Sequence, residues 1–566
     1  MSAFEIEIPM NKLIQKTIYT VILAMIGIAC DDGLEKFPVD KPSSSTFLKT
    51  ERELEMAVVG AYANLWSGYS YDMTIETILD VTSDIGWERA EAPWQELGNG
   101  KVDPNNTISR EIWTNSYTGI QRCNTVLANA SRIENITDQA KMDRNLAEAR
   151  FLRAYWYHHL VSLYGDVPLV TTPLALSESN LPRTPKPQVY DFILSELDAA
   201  AAVLPEKYTA SADIGRATKG AALALKSRVA LYAGKFDVAI AAAEAVMNSG
   251  VYDLDDDYEG LFIKSKQIGS HEIIFSISYL VGLRTHRIPQ GVNSRNGRGF
   301  SSKIPTQALI DSYLCIDGLP IDESPLYDPE KPFENRDPRL HYTCVVPGSV
   351  FDGFQFETHR DSVECWNYNV NPPVRVPNQD ALNPFASFSG YCWRKYADME
   401  NPDYLTRSET GIVVLRFAEV LLNYAEAKIE SNELDQSVYD ALNAVRTRVG
   451  MPPVDLGKTQ EELRSIVRIE RKSELAFEGT RLYDIRRWRI AEEVMTGELL
   501  GRIPRGLLAA APEIDENGTP NYDNVPNRSE MRVIELRIFD PAKNYVWPIP
   551  QIELEVNDLI SQNPGY

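Results

Sequence analysis

The chain has 566 residues, 44% hydrophobic and 24% charged, the balance of a folded protein with a sizeable core. Its formal net charge of −23 repels phosphate backbones and anionic lipid surfaces, which argues against nucleic acid as a partner and suits a neutral ligand or a partner with basic patches. None of the six cysteines forms a C-x-x-C pair, so a zinc ribbon or a thioredoxin-like site is not expected.

From Met10 the N-terminus reads MNKLIQKTIYTVILAMIGIAC. Lys12 and Lys16 are followed by an almost wholly apolar run, Thr17 to Ile28, too short for a comfortable transmembrane helix and suited to a signal peptide. Small residues before Cys30 resemble the lipobox of bacterial lipoproteins, with Gly27 where a leucine is common. The reading is a signal peptide over 1–29 with its start at Met10, a lipidated Cys30, and a polar tether over 30–46 containing Pro38, Pro42 and Ser43 to Ser45. Asp31 and Asp32 directly after the cysteine resemble a surface-export signal of Bacteroidetes-type lipoproteins.

A single body over 47–566 follows, and helical periodicity dominates it. Leu54, Val58, Ala61 and Leu65 form a first stripe. Ala149, Leu152, Trp156, Leu160 and Leu163 form a longer one that ends at Gly165. Ile193, Leu197 and Ala200 mark another helix. Ala222 to Tyr232 stops at Gly234, and Phe236 to Val246 closes at Gly250. The junction Gly234-Lys235-Phe236-Asp237-Val238-Ala239 resembles the turn of a tetratricopeptide (TPR) repeat, where small residues let two antiparallel helices approach. Trp156 and Tyr424 are expected in the core.

Helices therefore fill 47–250. Between 251 and 411 the texture changes to Gly, Pro, Asn and Asp around short mixed segments, and loops this long usually carry function. Similar interruptions lie between Trp66 and Trp113 and between Ile503 and Arg528. Helices and a closing segment fill 412–566, including a hairpin from Phe417 to Val445. In RIERKSELAFEGTRLYDIRRW, Ile469, Leu475, Ala476, Leu482 and Ile485 are candidate core positions, and Glu470, Arg471, Glu474 and Arg486 are expected to pair across helix faces as scaffold.

No phosphate loop or G-x-S-x-G elbow is present, and His271-Glu272 has no second histidine at zincin spacing. The acidic run Asp253 to Asp257 lacks the glycine and glutamate of an EF-hand. No catalytic residue, metal or cofactor is assigned. Disulfides among Cys315, Cys344, Cys365 and Cys392 are open in an oxidising compartment. Sugars present apolar C–H faces beside hydroxyls, so a flat exposed aromatic with neighbouring polar groups complements them. On that argument Trp87, Trp94, Arg284, Asn293, Arg295, Trp366 and Tyr368, all in polar loops, are the candidate ligand residues; the structural alternative is that each tryptophan anchors its own loop.

Several long segments in order resemble the RagB/SusD (SusD-like) family: CDDGLEKFPVDKPSSSTF, FLRAYWYHHLVSLYGDVPLV, GRATKGAALALKSRVALYAGKFDVAIAAAEAVMNSGVYDL, LRFAEVLLNYAEAKIESN, RIERKSELAFEGTRLYDIRRW and YVWPIPQIELEVNDLISQNPGY. The resemblance implies a mainly α SusD-like fold, TPR-like hairpins packed against a loop-rich irregular half with a few short strands. It implies a non-enzymatic lipoprotein on the outer face of the outer membrane that passes oligosaccharide to a SusC-like TonB-dependent transporter. The competing readings are a surface glycoside hydrolase and a TPR-like peptide-binding scaffold. Ligand-contacting residues vary within the family, so it transfers no binding site.

Overall fold

The computed structural model describes residues 48–400 and 403–566. The expectations for the signal peptide, Cys30 and the tether lie outside the described residues. Within them no helix is long and apolar enough to cross a membrane.

The scaffold is an array of antiparallel helices: α1 (Glu51–Tyr62), α2 (Ala92–Asn99), α3 (Thr107–Asn129), α4 (Gln139–Tyr164), α5 (Lys186–Ala201), α6 (Lys219–Tyr232), α7 (Phe236–Met247), α8 (Phe417–Glu430), α9 (Gln436–Arg448), α10 (Gln460–Leu475) and α11 (Arg481–Arg487). Their starts are written locally. Thr50 and Thr459 form capping boxes with Glu53 and Glu462, and Asp138 and Thr218 cap α4 and α6, each satisfying an amide that the first helical turn leaves open. Neighbours pack in sequence from α3 to α7, α1 lies against α3 and α4, and α7 continues onto α8, which carries α9 and α10. Helices from both ends of the chain thus build one stack.

Helix α4 departs from the expected single stripe. From Phe151 to Val161 every side chain is buried, His158 and His159 included. This stretch of α4 is enclosed on all sides, while the first turns keep Gln139, Ala140 and Asp143 exposed; amphipathic periodicity understates a segment with no solvent face. Trp156 and Tyr424 are core residues.

Between α7 and α8 the loop-rich half is built from short strands. Two of them, β1 (Gly86–Glu88) and β3 (Lys303–Pro305), pair antiparallel, as do β2 (Ile273–Ile277) and Ile412–Arg416. A four-stranded sheet runs through Val350–Phe351, Phe354–Gln355, Glu364–Asn367 and Val374–Pro377.

Arg416 ends its strand at the start of α8 and enters a buried ionic network. It reaches Glu272 at 2.8 Å, Glu474 at 2.5 Å and Glu478 at 2.7 Å. Glu474 also takes Arg448 at 2.5 Å and Arg339 at 2.9 Å. Burial pushes the Glu474 carboxyl up, but Arg448, Arg416 and Arg339 together hold it well below the usual carboxylate range. Glu470 pairs with Arg339 and Arg446, and Arg471 with Asp484.

The expected pairing fails at Arg486. It is buried, donates to the Asn544 carbonyl at 3.3 Å and lies 5.4 Å from the Trp547 ring centroid, with no carboxylate at ion-pair distance among the described residues. Burial lowers its pKa to about 10. No acidic residue stands three or four positions from it, where Leu482, Tyr483, Arg489 and Ile490 lie, and its side chain leaves α11 toward the closing segment. The five described cysteines are buried and free, so the open disulfide expectation is not met.

Candidate functional site

After the turn Ala63–Trp66 the chain doubles back at Gly68, where a Cβ would sit 2.8 Å from the Asp72 Cα, so only glycine fits. Tyr71 and Asp72 follow with φ of 59° and 57°, two consecutive left-handed residues that are not glycine. Such backbone is costly and persists where the surroundings enforce it. Here the Asp72 amide donates to the Tyr69 carbonyl at 2.9 Å and the Tyr69 amide to the Met73 carbonyl at 2.8 Å.

The result leaves Tyr71 and Asp72 half-buried at the surface. The Asp72 carboxylate takes Arg287 at 3.3 Å and Arg284 at 3.7 Å, and the Arg287 guanidinium lies 5.7 Å from the Tyr71 ring centroid. Tyr71 meets Phe300 edge-on, centroids 5.8 Å apart. Burial raises the Tyr71 phenol pKa, with Glu88 and Glu91 adding to it, so the hydroxyl stays protonated and available as a donor.

Phe300 and Arg295 belong to a tight loop over 293–301. At Gly299 a Cβ would fall 2.4 Å from the Asn293 carbonyl oxygen. Arg295 donates to the Phe385 carbonyl at 3.0 and 2.8 Å and lies 5.7 Å from the Phe300 ring. Arg89 donates to the Phe300 carbonyl at 3.0 Å and stands 5.3 Å from the ring of Phe385, which is 57% exposed. Arg284, Asp72, Arg287, Tyr71, Phe300, Arg295, Phe385 and Arg89 therefore form one continuous ladder of rings and polar groups.

Its floor is rigid. Lys303 is fully buried, with its ammonium 4.6 Å from the Tyr71 centroid and 5.7 Å from that of Trp94. It pairs with Glu88 and donates to the Ser70 hydroxyl at 3.2 Å, while Ser70 donates to Glu91.

Of the residues read from the sequence, Arg284 and Arg295 lie on the ladder. Trp87, Trp94 and Asn293 do not present a surface, which corrects their reading as exposed loop groups. Trp87 sits on strand β1 and stacks on Phe388 at 5.6 Å; Trp94 sits on helix α2 with its indole N–H on Glu91; Asn293 is bonded to Tyr404. All three are buried. They brace the ladder from below, since burial of a large ring is worth more to the fold than exposure of it. Trp366 and Tyr368 are 38% and 44% exposed; Trp366 lies on the four-stranded sheet, facing Arg375 across the strands at 5.2 Å, and Tyr368 follows the end of that strand. The reading missed Tyr71, Asp72, Arg287, Phe300, Phe385 and Arg89. The segments WSGYSYDM and RNGRGF, glycine beside aromatics and charge, hold what signal there was.

An open cleft of about 1220 Å³ lies elsewhere on the loop-rich half, lined among others by Phe333, Arg336, His341, Glu357, His359 and Arg502. In its lining Arg336 donates to the Ile310 and Tyr313 carbonyls at 2.7 Å, and Arg502 pairs with Glu357 at 3.4 Å. Among the described residues no group of His, Cys, Asp or Glu could hold a metal ion.

A stack of helical hairpins that braces a loop-built, ring-lined face defines a ligand-binding scaffold. The chain belongs to the SusD family, whose model matches residues 271–566, and a second model, described as starch-binding and associating with the outer membrane, matches 34–231. A SusD-like carbohydrate binding protein from Bacteroides fragilis is 31% identical, with 91% of this chain and 100% of that one covered and a TM-score of 0.79. SusD-like protein P2 from Formosa agariphila is 27% identical over 96% of this chain and 98% of its own length. Surface glycan-binding protein A from Bacteroides thetaiotaomicron, solved with laminarihexaose, shares the fold at 21% identity and a TM-score of 0.66, covering 91% of this chain and 99% of its own.

Proposed function

We propose that this protein captures oligosaccharide at the cell surface on the Tyr71–Phe300–Phe385 ladder. It is held in the outer membrane through acylated Cys30 and passes its cargo to a SusC-like TonB-dependent transporter. The observation that carries the binding reading is the ladder itself: aromatic rings interleaved with guanidinium and carboxylate groups, partly open to solvent and locked from beneath by Lys303 and Glu88. Rings offer faces to sugar C–H groups and the polar groups meet hydroxyls, with little ordering cost because the floor is preorganised. Family membership supports the same reading, and the related proteins named for carbohydrate or glycan binding bear on it in the same sense.

The protein acts as a binder and not as a hydrolase. The carboxylate of the ladder, Asp72, is committed to two arginines, which suits orientation of a ligand and not proton transfer. Titrating the full chain with an oligosaccharide panel while following reducing-end release tests this. Saturable binding without release is the expected result; product release turns the assignment to a hydrolase, and absence of any binding overturns it. For the anchor, Cys30→Ser is expected to release the protein from the membrane fraction, and a variant still firmly bound contradicts it.

A further inference from the structure

The ladder contains two guanidinium groups with unusual partners. Arg89 and Arg295 bracket the same two phenylalanines, Phe300 and Phe385, and both are half-buried. Each is bonded only to main-chain carbonyls: Arg89 to Phe300, Arg295 to Phe385 and, at 3.4 Å, to Gly299. The Arg89 Nε is buried with no hydrogen-bond partner. Among the described residues neither arginine has a carboxylate at ion-pair distance, whereas Arg284 and Arg287 on the same ladder share Asp72.

The carboxylates nearby are already committed. Glu88 pairs with buried Lys303, Glu91 accepts from Ser70 and Trp94, and Asp380 is buried and accepts the main-chain N–H groups of Arg295 at 2.6 Å and Asn296 at 3.3 Å. The row continues past Phe388, whose ring lies 6.0 Å from Arg89 and 3.7 Å from Arg532. Beyond it Arg360 donates to the Ala381 carbonyl at 2.8 Å. Burial lowers the pKa of Arg295, and Arg89 lowers it further; burial and Arg360 act on Arg532 in the same way. Positive charge is thus crowded along this strip and only partly offset, by Asp380 at Arg295 and Glu88 at Arg89, in a chain whose formal charge is −23.

Deepening the glycan reading on which it rests, we propose that the oligosaccharide taken by this face is acidic, and that Arg89 and Arg295 receive its carboxylate or sulfate groups. A guanidinium presents a planar fork of donors that matches both groups bidentately, and the flanking rings accept the sugar faces. An acid group placed between the two arginines would meet their outward-facing N–H groups and offset their mutual repulsion.

Calorimetric titration of the full chain with three length-matched probes tests it: an oligouronate, a sulfated oligogalactan and neutral laminarihexaose. At least one acidic probe is expected to bind tenfold or more tightly than laminarihexaose, with affinity that falls as sodium chloride is raised. Which acidic probe wins distinguishes carboxylate from sulfate. The double variant Arg89→Gln/Arg295→Gln, checked for unchanged thermal unfolding, is expected to bring the acidic probe down to the neutral level. Tighter or equal binding of laminarihexaose overturns the proposal and leaves the glycan reading standing, as does a folded double variant that keeps the acidic preference. Failure of all three probes to bind overturns both.

Discussion

Two regions of this protein concentrate arginine, and they use it in opposite ways. Around Glu474, the guanidinium groups of Arg339, Arg416 and Arg448 are buried and paired with carboxylates. Along the loop face, Arg89 and Arg295 rest on rings and main-chain carbonyls at the solvent boundary. In the first region the partner is built into the fold, because an unpaired buried charge is strongly destabilising. In the second the guanidinium groups meet main-chain carbonyls and rings instead of carboxylates, the arrangement on which the proposed acidic ligand rests.

The largest expected effect comes from breaking the first region. Glu474→Gln leaves three buried guanidinium groups short of a carboxylate and is expected to lower unfolding stability by about 3–5 kcal/mol, read by chemical denaturation. A loss under about 1 kcal/mol would show the network to be dispensable.

Next is the support of the loop face at His286. Its imidazole is buried against Tyr279, with ring centroids 4.7 Å apart; Nε2 donates to the Thr410 carbonyl at 2.9 Å and Nδ1 accepts from the Ile288 amide at 3.3 Å. Burial lowers its pKa to about 4, with the Thr410 bond, Asp72 and Asp398 partly opposing that. The unfolded chain therefore takes up a proton between about pH 6.5 and 4 that the folded chain refuses, so stability is lost as pH falls through that window. The loss is on the order of 3 kcal/mol at most. Denaturation curves for His286→Gln are expected to show a shallower acid decline than the parent; an identical decline refutes the assignment.

A smaller effect separates function from stability. Tyr71→Gly removes the ring at the centre of the ladder while relieving a left-handed backbone that costs about 1–2 kcal/mol in a residue with a Cβ. Oligosaccharide affinity is expected to fall about tenfold while stability changes by less than about 1 kcal/mol, since strain relief offsets the lost contact. Smallest is Trp366→Ala. It removes one cross-strand contact with Arg375, worth about 0.5 kcal/mol, and is expected to leave oligosaccharide affinity unchanged. A large affinity loss there moves the site to the four-stranded sheet.

The helical scaffold was legible because its signals are local. The stripes starting at Leu54, Ala222 and Phe236 and the stops at Gly165 and Gly234 each lie within one or two turns of the residues they govern. The core positions Leu475, Leu482 and Ile485 followed from the same periodicity. The proposed face was legible only in part. Loop composition selected Arg284 and Arg295, which lie on the ladder, but also Trp87, Trp94 and Asn293, which are buried.

What composition and period determined was the helical stack and the loop-rich half that interrupts it, since those depend on neighbours in the chain. Tertiary structure alone decided which loop residues face water and which meet. Tyr71 and Phe300 are 229 positions apart in the sequence and 5.8 Å apart between ring centroids. The pairing of β1 with β3 brings their segments together, and no local pattern encodes a contact between such distant segments. Likewise, which partner an arginine finds depends on what a distant segment brings to it, a carboxylate for Arg339 from Glu474 and a main-chain carbonyl for Arg89 from Phe300.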